Sequence, residues 1–243
     1  MNPCGRIAAF FDLDGTLLAP PSLEWRFIGY LLGRDELGGR NLARWLEHCA
    51  NTLLRNPRAA TEGNKFYLAG LPESLVADWA DSHAAWDLPF FPQGIARMAW
   101  HHAQQHQVFL VTGTLAPHAR AILPQLPEPV EVCATELESI GSHWTGSLAG
   151  CHITGEAKAR AIRAIAERYN LDLARSFAYG NTVSDRAMLE AVGHPVAVNP
   201  SMRLAGWARK RGWSISRWDR PQATAQAAAQ TARKNLLAQE HPR

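Results

Sequence analysis

The sequence has little cysteine and no long apolar run, so neither disulfide or metal cross-links nor a membrane-spanning segment is expected. Its 243 residues include only four cysteines, and these form no Cys-x-x-Cys pair. Free thiols are therefore expected, rather than a zinc knuckle or a redox dithiol. No apolar run approaches the roughly 18 residues needed to span a bilayer. The first apolar segment begins so close to Met1 that no signal peptide is expected, and the cytoplasm is the expected compartment.

The chain also has little excess of positive over negative charge. The formal net charge is +3 at pH 7, and the basic residues are scattered, so neither a nucleic-acid partner nor a membrane partner is indicated. The sequence has no Gly-x-Ser-x-Gly elbow and no P-loop lysine motif, which argues against serine hydrolases and nucleoside-triphosphate motors. A content of 47% hydrophobic and 19% charged residues is typical of a globular protein with a sizeable core.

Two carboxylates follow the apolar segment that ends at Phe11. Asp12 and Asp14 are two positions apart, so their side chains can converge as a strand ends. Ligands of open α/β sheets bind beyond the carboxyl ends of the strands. At such a position Asp12 can act as the nucleophile that forms an aspartyl-phosphate. Asp14 can act as the general acid that protonates the leaving alcohol and as the general base that deprotonates the attacking water. Taken alone, Asp-x-Asp-Gly is also typical of a turn or a calcium-type loop.

Three further segments supply groups that phosphoryl transfer needs: Val108–Gly113, Gly155–Lys158 and Tyr179–Asp185. The hydroxyl of Thr112 and the ammonium of Lys158 can hold phosphoryl oxygens whose charge must be stabilised. With Asp12 and Asp14 in front of them, these segments resemble, in order, the motifs of the haloacid dehalogenase superfamily of phosphohydrolases. The resemblance implies that Thr112, Gly113 and Lys158 bind the phosphoryl group.

The same resemblance implies a magnesium ion held by Asp12, Asp14, Asn181 and Asp185. One position departs from the family pattern, because Asn181 stands where relatives generally have an acid. An amide oxygen can still coordinate Mg²⁺, but it removes one negative charge. Three outcomes follow: an active enzyme with lower magnesium affinity, an active enzyme that uses Asp185 more directly, or a protein that binds phosphate and turns over poorly.

Segments farther along the chain are similar to subfamily IB of this superfamily. They are Glu136–Glu138, Trp144–Gly146, Met188–Pro195 and Val196–Pro200. The group includes enzymes similar to phosphoserine phosphatases and histidinol-phosphate phosphatases. The resemblance implies a helical cap inserted after the first motif, and small phosphomonoesters as substrates, without choosing among them.

The remaining pattern predicts an α/β fold with a doubly wound parallel sheet, formed by residues 1–18 and 89–220. Short β-rich runs predict strands at Ile7–Phe11, Val108–Thr112, Val130–Cys133, Ser176–Tyr179 and Val196–Val198, with an edge strand within Trp213–Trp218. Helical periodicity predicts helices at Gly94–Gln107, Ala116–Leu123, Glu156–Asn170, Ser184–Val192 and Met202–Arg211. Glycines predict a hairpin within Ile140–Gly150.

Residues 19–88 interrupt this alternation with helical periodicity and are predicted to form the cap, which would read the leaving group. Glu24 is an approximate match to an acid that contacts the substrate ammonium in phosphoserine-type relatives, and it is the cap's substrate-binding candidate. The other polar candidates are Arg26, Arg44, Arg55, Arg58, Lys65 and Tyr67. For each of the candidates, Glu24 included, a solvated helix face is the simpler interpretation. Residues 221–243, rich in Ala and Gln, predict a terminal helix or tail.

The sequence therefore favours a magnesium-dependent phosphatase that acts on a small phosphorylated metabolite through an aspartyl-phosphate. Phosphotransfer to another alcohol shares the same intermediate, and a catalytically weak phosphate-binding or regulatory protein would follow if Asn181 abolished turnover. The pattern indicates no oligomeric state.

Overall fold

The computed structural model describes residues 5–53, 63–82, 88–127 and 129–219. Four features discussed above fall outside these ranges: Cys4, Arg55, Arg58 and the helix or tail predicted for residues 221–243. Cys49, Cys133 and Cys151 are free thiols, as expected.

The described residues form eight strands: β1 (Ala8–Phe11), β2 (Gln107–Leu115), β3 (Glu131–Thr135), β4 (Leu137–Ile140), β5 (His143–Leu148), β6 (Phe177–Gly180), β7 (His194–Val198) and β8 (Ser214–Ser216). Six of them form one sheet in the order β3-β2-β1-β6-β7-β8, and every neighbouring pair in it is parallel. All four residues of β1 are buried, as expected for a parallel strand covered on both faces. The predicted sheet, including its edge strand, is confirmed.

Eight α-helices accompany the strands in this part of the chain: α1 (Leu23–Gly33), α2 (Gly39–Leu53), α3 (Ser74–Ala80), α4 (Pro92–Ala103), α5 (Ala116–Ala121), α6 (Glu156–Tyr169), α7 (Arg186–Glu190) and α8 (Met202–Arg211). Alternate residues of β1 face two separate apolar clusters. Ala9 and Phe11 belong to the cluster that includes Met98 of α4. Ala8 and Phe10 belong to the cluster that includes residues of α6, α7 and α8. The sheet is therefore covered on both faces, which confirms the doubly wound architecture.

Several predicted boundaries differ from the structure. The helix predicted to continue to Gln107 ends at Ala103, because the chain turns through Gln105 at a positive φ of 59° and Gln107 begins β2. The antiparallel hairpin of β4 and β5 begins at Leu137, earlier than predicted. The helix predicted from Ser184 begins at Arg186, after a 3₁₀ turn at Val183–Asp185.

The interval predicted as the cap contains α1, α2, a 3₁₀ turn at Phe66–Leu68 and α3, and its described residues form no strand. Helix α1 begins after Ser22, whose side-chain oxygen accepts the backbone N–H of Trp25 at 3.4 Å and satisfies one free donor of the first turn. Leu23 and Phe27 of α1 share a buried cluster with Leu17, which follows the first motif. Leu75 and Trp79 of α3 belong to the same cluster. Helices α1 and α3 therefore pack directly on the sheet domain, and the division into core and cap domains stays a prediction.

None of the helices described in this structure is both long and apolar enough to cross a membrane.

Candidate active site

Three adjacent strands bring the predicted motifs to one edge of the sheet. β1 lies between β2 and β6, and both Leu110 of β2 and Tyr179 of β6 are level with Phe11. Asp12, which follows Phe11, donates its backbone N–H to the carbonyl of Tyr179 at 3.0 Å. The predicted nucleophile therefore lies at the carboxyl edge, where open α/β sheets bind ligands.

An ammonium group lies between two buried carboxylates at this edge. Lys158, in the first turn of α6, donates to Asp12 Oδ1 at 2.5 Å and to Asp185 Oδ1 at 2.7 Å. Asp12 is 6% exposed, Lys158 2% and Asp185 1%. Three of the predicted residues, from three distant segments, thus converge on one point.

Burial and neighbouring charge set the protonation of this group. Burial and the Asp185 carboxylate raise the pKa of Asp12 to about 7, while Lys158 opposes the change. Burial would lower the pKa of Lys158, but Asp12 and Asp185 outweigh it and raise that pKa. The ammonium is therefore held charged beside the carboxylate that would attack phosphorus, where it can offset the repulsion between two anions.

Asp14 is held by two donors from different parts of the chain. Its Oδ2 accepts the hydroxyl of Thr114 at 2.6 Å, and its Oδ1 accepts the backbone N–H of Leu23 at 2.7 Å. Burial raises the pKa of Asp14 even though both hydrogen bonds oppose the change. A carboxyl group with a raised pKa and a fixed orientation is suited to give a proton to a leaving group.

Thr112 and Gly113 lie in the last part of β2. The side-chain oxygen of Thr112, a 1% exposed residue, accepts the backbone N–H of Thr114 at 3.1 Å. A Cβ at Gly113 would stand 3.1 Å from Nε2 of His152, so any side chain there would crowd that residue. Both residues lie at the same edge as Asp12, and their contact with a phosphoryl group stays a prediction.

The loop after β6 is organised around Asp185. Its Oδ2 accepts the backbone N–H groups of Asn181 at 3.0 Å and Thr182 at 2.9 Å. A Cβ at Gly15 would stand 2.0 Å from Nδ2 of Asn181, so the Asn181 side chain lies directly against the first motif. Gly15 has a positive φ of 82°, which glycine adopts at no steric cost.

The described residues contain no group of three or more His, Cys, Asp or Glu side chains placed to hold a metal ion. Magnesium does not require such a cage, because it is commonly bound by one or two carboxylates together with substrate phosphate and water. Asp12, Asp185 and the amide oxygen of Asn181 fit that donor set. Asp14, the fourth predicted ligand, has both carboxylate oxygens hydrogen-bonded to protein donors, as Asp12 and Asp185 also do.

Glu24 lies in an ion pair within the interval predicted as the cap. Both of its carboxylate oxygens are 2.6 Å from Nζ of Lys65, and the hydroxyl of Tyr67 donates to Oε1 at 2.6 Å. Burial would raise the pKa of Glu24, but Lys65 and Tyr67 lower it. The solvated-face interpretation is wrong for Lys65, which is 3% exposed. Glu24 thus stays a substrate-binding prediction, with its charge already compensated.

Two site residues had no predicted role. Thr114 supports Asp14, and the hydroxyl of Thr16 donates to Asp12 Oδ2 at 2.9 Å. Thr114 had a signal in the sequence, since a residue two positions after Thr112 at a strand end faces the same side. Thr16 belongs to the first motif and had only its position as a signal.

The family model for haloacid dehalogenase-like hydrolases matches residues 9–190. The chain belongs to this family. The match includes every one of the predicted catalytic and metal-binding residues, which lie between Asp12 and Asp185. Family membership and the α/β fold predicted from the motifs are thereby confirmed.

Individual relatives agree with this assignment. The chain is 32% identical over 220 residues to phosphoserine phosphatase SerB1 of Mycobacterium tuberculosis, covering 86% of this chain and 70% of that protein. It is 25% identical to a histidinol-phosphatase of Neisseria meningitidis, covering 85% and 96%. A solved structure of a protein of unknown function from Bordetella pertussis matches with a TM-score of 0.70 and 25% identity, covering 87% and 98%. The predicted similarity to both phosphatase groups is confirmed.

Proposed function

We propose that this haloacid dehalogenase-like hydrolase is a magnesium-dependent phosphatase that hydrolyses a small phosphorylated metabolite through an aspartyl-phosphate on Asp12. The observation that carries the proposal is the buried arrangement of Asp12, Lys158 and Asp185, with Lys158 Nζ within 2.7 Å of both carboxylates. The names of the relatives support a phosphomonoester as substrate, and the cytoplasm is the expected compartment.

In this proposal Asp12 attacks phosphorus while Lys158 and Thr112 bind the phosphoryl oxygens. Asp14 gives its proton to the leaving oxygen and then takes one from the water that hydrolyses the aspartyl-phosphate. A magnesium ion held by Asp12, Asp185 and Asn181 would supply further stabilisation of negative charge on the phosphoryl group.

The test is hydrolysis of p-nitrophenyl phosphate with and without magnesium. Asp12→Asn serves as the blank, and Asp78→Asn, at an exposed position of α3, serves as the matched control. We expect a magnesium-dependent rate that Asp12→Asn abolishes and Asp78→Asn retains. A rate no higher than the blank would contradict the proposal and favour a phosphate-binding protein with little turnover.

A panel of phosphoserine, sugar phosphates, nucleotides and phosphorylated lipid head groups would then rank the leaving groups. The same panel with added alcohols separates hydrolysis from phosphotransfer, because transfer yields a new phosphate ester in place of inorganic phosphate. We expect inorganic phosphate as the main product.

A further inference from the structure

An apolar groove separates α1 from α2 in the cap. It encloses about 610 Å³, within the range of roughly 300–1,000 Å³ that is typical of small-molecule sites. Its apolar walls include Trp25, Ile28 and Leu32 of α1 together with Leu42 and Trp45 of α2. A cavity of this size lined mainly by apolar side chains is suited to an apolar ligand.

Large apolar side chains in the groove are exposed to solvent. Trp25 is 66% exposed, and Leu32 and Leu42 are each 58% exposed. Trp25 and Leu32 lie on a face of α1 different from that of Leu23 and Phe27, which are buried against the sheet domain. Contiguous apolar exposure of this kind marks binding surfaces.

Hydrogen bonds fix the far wall of the groove. Asn41 Nδ2 donates to the carbonyl of Tyr67 at 2.9 Å, and Arg44 Nη1 donates to that of Ala69 at 2.7 Å. Asn64 Nδ2 donates to the carbonyl of Trp45 at 3.0 Å. Helix α2 is therefore held to the 64–69 segment, and the space between the helices is a built cavity.

One end of the groove is linked to the candidate active site through the first turn of α1. Glu24 lines it, and the preceding residue, Leu23, donates its backbone N–H to Asp14. From Glu24 to Leu32 the groove follows eight residues of α1, a length of about 12 Å at 1.5 Å per residue. It thus runs away from the acid that would protonate a leaving oxygen.

The polar end of the groove carries no net charge. Glu24 and Lys65 are the charged residues among those described in its lining, and they pair with each other at 2.6 Å. An amino-acid leaving group would have to compete for groups that are already paired with each other, and disrupting a pair in which Lys65 is buried is costly. A leaving group without charge leaves it intact.

We infer that this groove binds the leaving alcohol of the substrate, and that the substrate is a phosphate monoester of an alcohol with an extended apolar chain. The inference rests on the proposed phosphatase activity. The phosphoryl group occupies the site of Asp12 and Lys158, and the chain follows α1 between Trp25 and Trp45.

The test compares kcat/KM for butyl and octyl phosphate in magnesium, below the concentration at which either ester forms micelles. Burial of four more methylene groups predicts an increase of roughly tenfold or more for octyl phosphate. In Trp25→Ala the octyl-to-butyl ratio should fall to within about threefold, and Trp25→Phe should restore most of it. Met202→Ala, which removes a 93% exposed side chain from α8, should leave the ratio unchanged. Thermal melting checks that each variant is folded.

The outcomes separate this inference from the proposed function. Hydrolysis with a flat ratio, or a high ratio that Trp25→Ala leaves unchanged, overturns the groove as the chain-binding site and leaves the phosphatase standing. Absence of magnesium-dependent hydrolysis for every ester overturns both. A chain-length preference seen only with phospholipid vesicles assigns the groove to a membrane and overturns the inference. A dimer in sedimentation that Trp25→Ala dissociates assigns the groove to a second copy of the chain and also overturns it.

Discussion

Asp14 Oδ1 accepts the backbone N–H of Leu23 at 2.7 Å, so the proposed acid and base is bonded to the first residue of the first cap helix. Donors at the start of a helix have no partner within the helix, and the Asp14 carboxylate supplies one. The orientation of Asp14 and the position of α1 over the site are therefore linked. The second oxygen of Asp14 is held by Thr114 from the opposite side.

Replacement of Thr114 by Val removes the hydroxyl that orients Asp14. We expect kcat for an alkyl phosphate to fall about tenfold, a part of the gain that general acid catalysis typically supplies. The effect should be smaller for p-nitrophenyl phosphate, because p-nitrophenolate leaves readily without a proton. Thr114→Ser keeps the hydroxyl and should restore both rates. An equal loss for the two substrates would contradict a role through the leaving group.

Asn181→Asp adds a negative charge where the family generally has an acid. The Asn181 side chain lies against Gly15 of the first motif. If its amide oxygen coordinates the cation, the variant should lower the magnesium concentration that gives the half-maximal rate. Titration of the p-nitrophenyl phosphate rate with magnesium measures this. An unchanged or higher concentration would show that residue 181 is not near the cation.

Gly15→Ala should affect both the backbone and the site. The positive φ of 82° costs a non-glycine residue about 1–2 kcal/mol, and the new Cβ would displace the Asn181 amide. Gly141→Ala is the matched control, because Gly141 has a φ of 57° and no atom within 4 Å of an added Cβ. We expect similar losses in the free energy of unfolding, with a higher magnesium requirement only in Gly15→Ala. A higher requirement in both variants would remove the assigned role of the Gly15 contact.

His118 of α5 predicts an acid-sensitive contact between the cap and the sheet domain. It is fully buried among Phe27, Trp79 and Trp144, and its ring nitrogens have no hydrogen-bond partner among the described residues. Burial lowers its pKa to about 4, with Glu24 opposing and Lys65 adding to the change.

Because the folded protein resists protonation of His118, the unfolded state binds the proton first as the pH falls below 6.5. The free energy of unfolding therefore falls as the pH is lowered from 7 toward 4, by about 2 kcal/mol between pH 7 and pH 5. His118→Phe should remove this loss and raise the free energy of unfolding at pH 7 by about 1–2 kcal/mol. Urea unfolding at both pH values measures the gap between variant and wild type, with His143→Phe, at an exposed position, as control. If the difference in the free energy of unfolding between His118→Phe and the wild type were the same at both pH values, the lowered pKa of His118 would be contradicted.

The sheet is confirmed because strands of this kind depend on local pattern, and the roles predicted for the site residues at its edge stay predictions. Asp12 and Asn181 directly follow β1 and β6, and Thr112 lies in the last part of β2. Parallel pairing brings the ends of such strands together. The motif that contains Lys158 predicted its position on α6. Asp12 and Asp185 lie at the same edge of the sheet, so its contact with both carboxylates is consistent with that position.

The cap was predicted less completely because its contacts join residues far apart in sequence. From sequence, Lys65 and Glu24 each resemble a solvated charge on a helix. Only the packing of α1 against the 63–68 segment pairs them and buries Lys65. Trp25 is a second example. A tryptophan at helical spacing usually packs in a core, but Trp25 is 66% exposed, because whether a neighbour covers it depends on the position of α2.

The central claim is that Asp12 carries the phosphoryl group. Acid quenching during steady turnover of an alkyl phosphate, followed by mass analysis of the peptide that contains Asp12, tests it most directly. The account predicts a phosphoryl adduct on Asp12 that forms only with magnesium, disappears on a chase without substrate and is absent from Asp12→Asn. Turnover without an adduct, or an Asp12→Asn variant that keeps the wild-type rate, would contradict it.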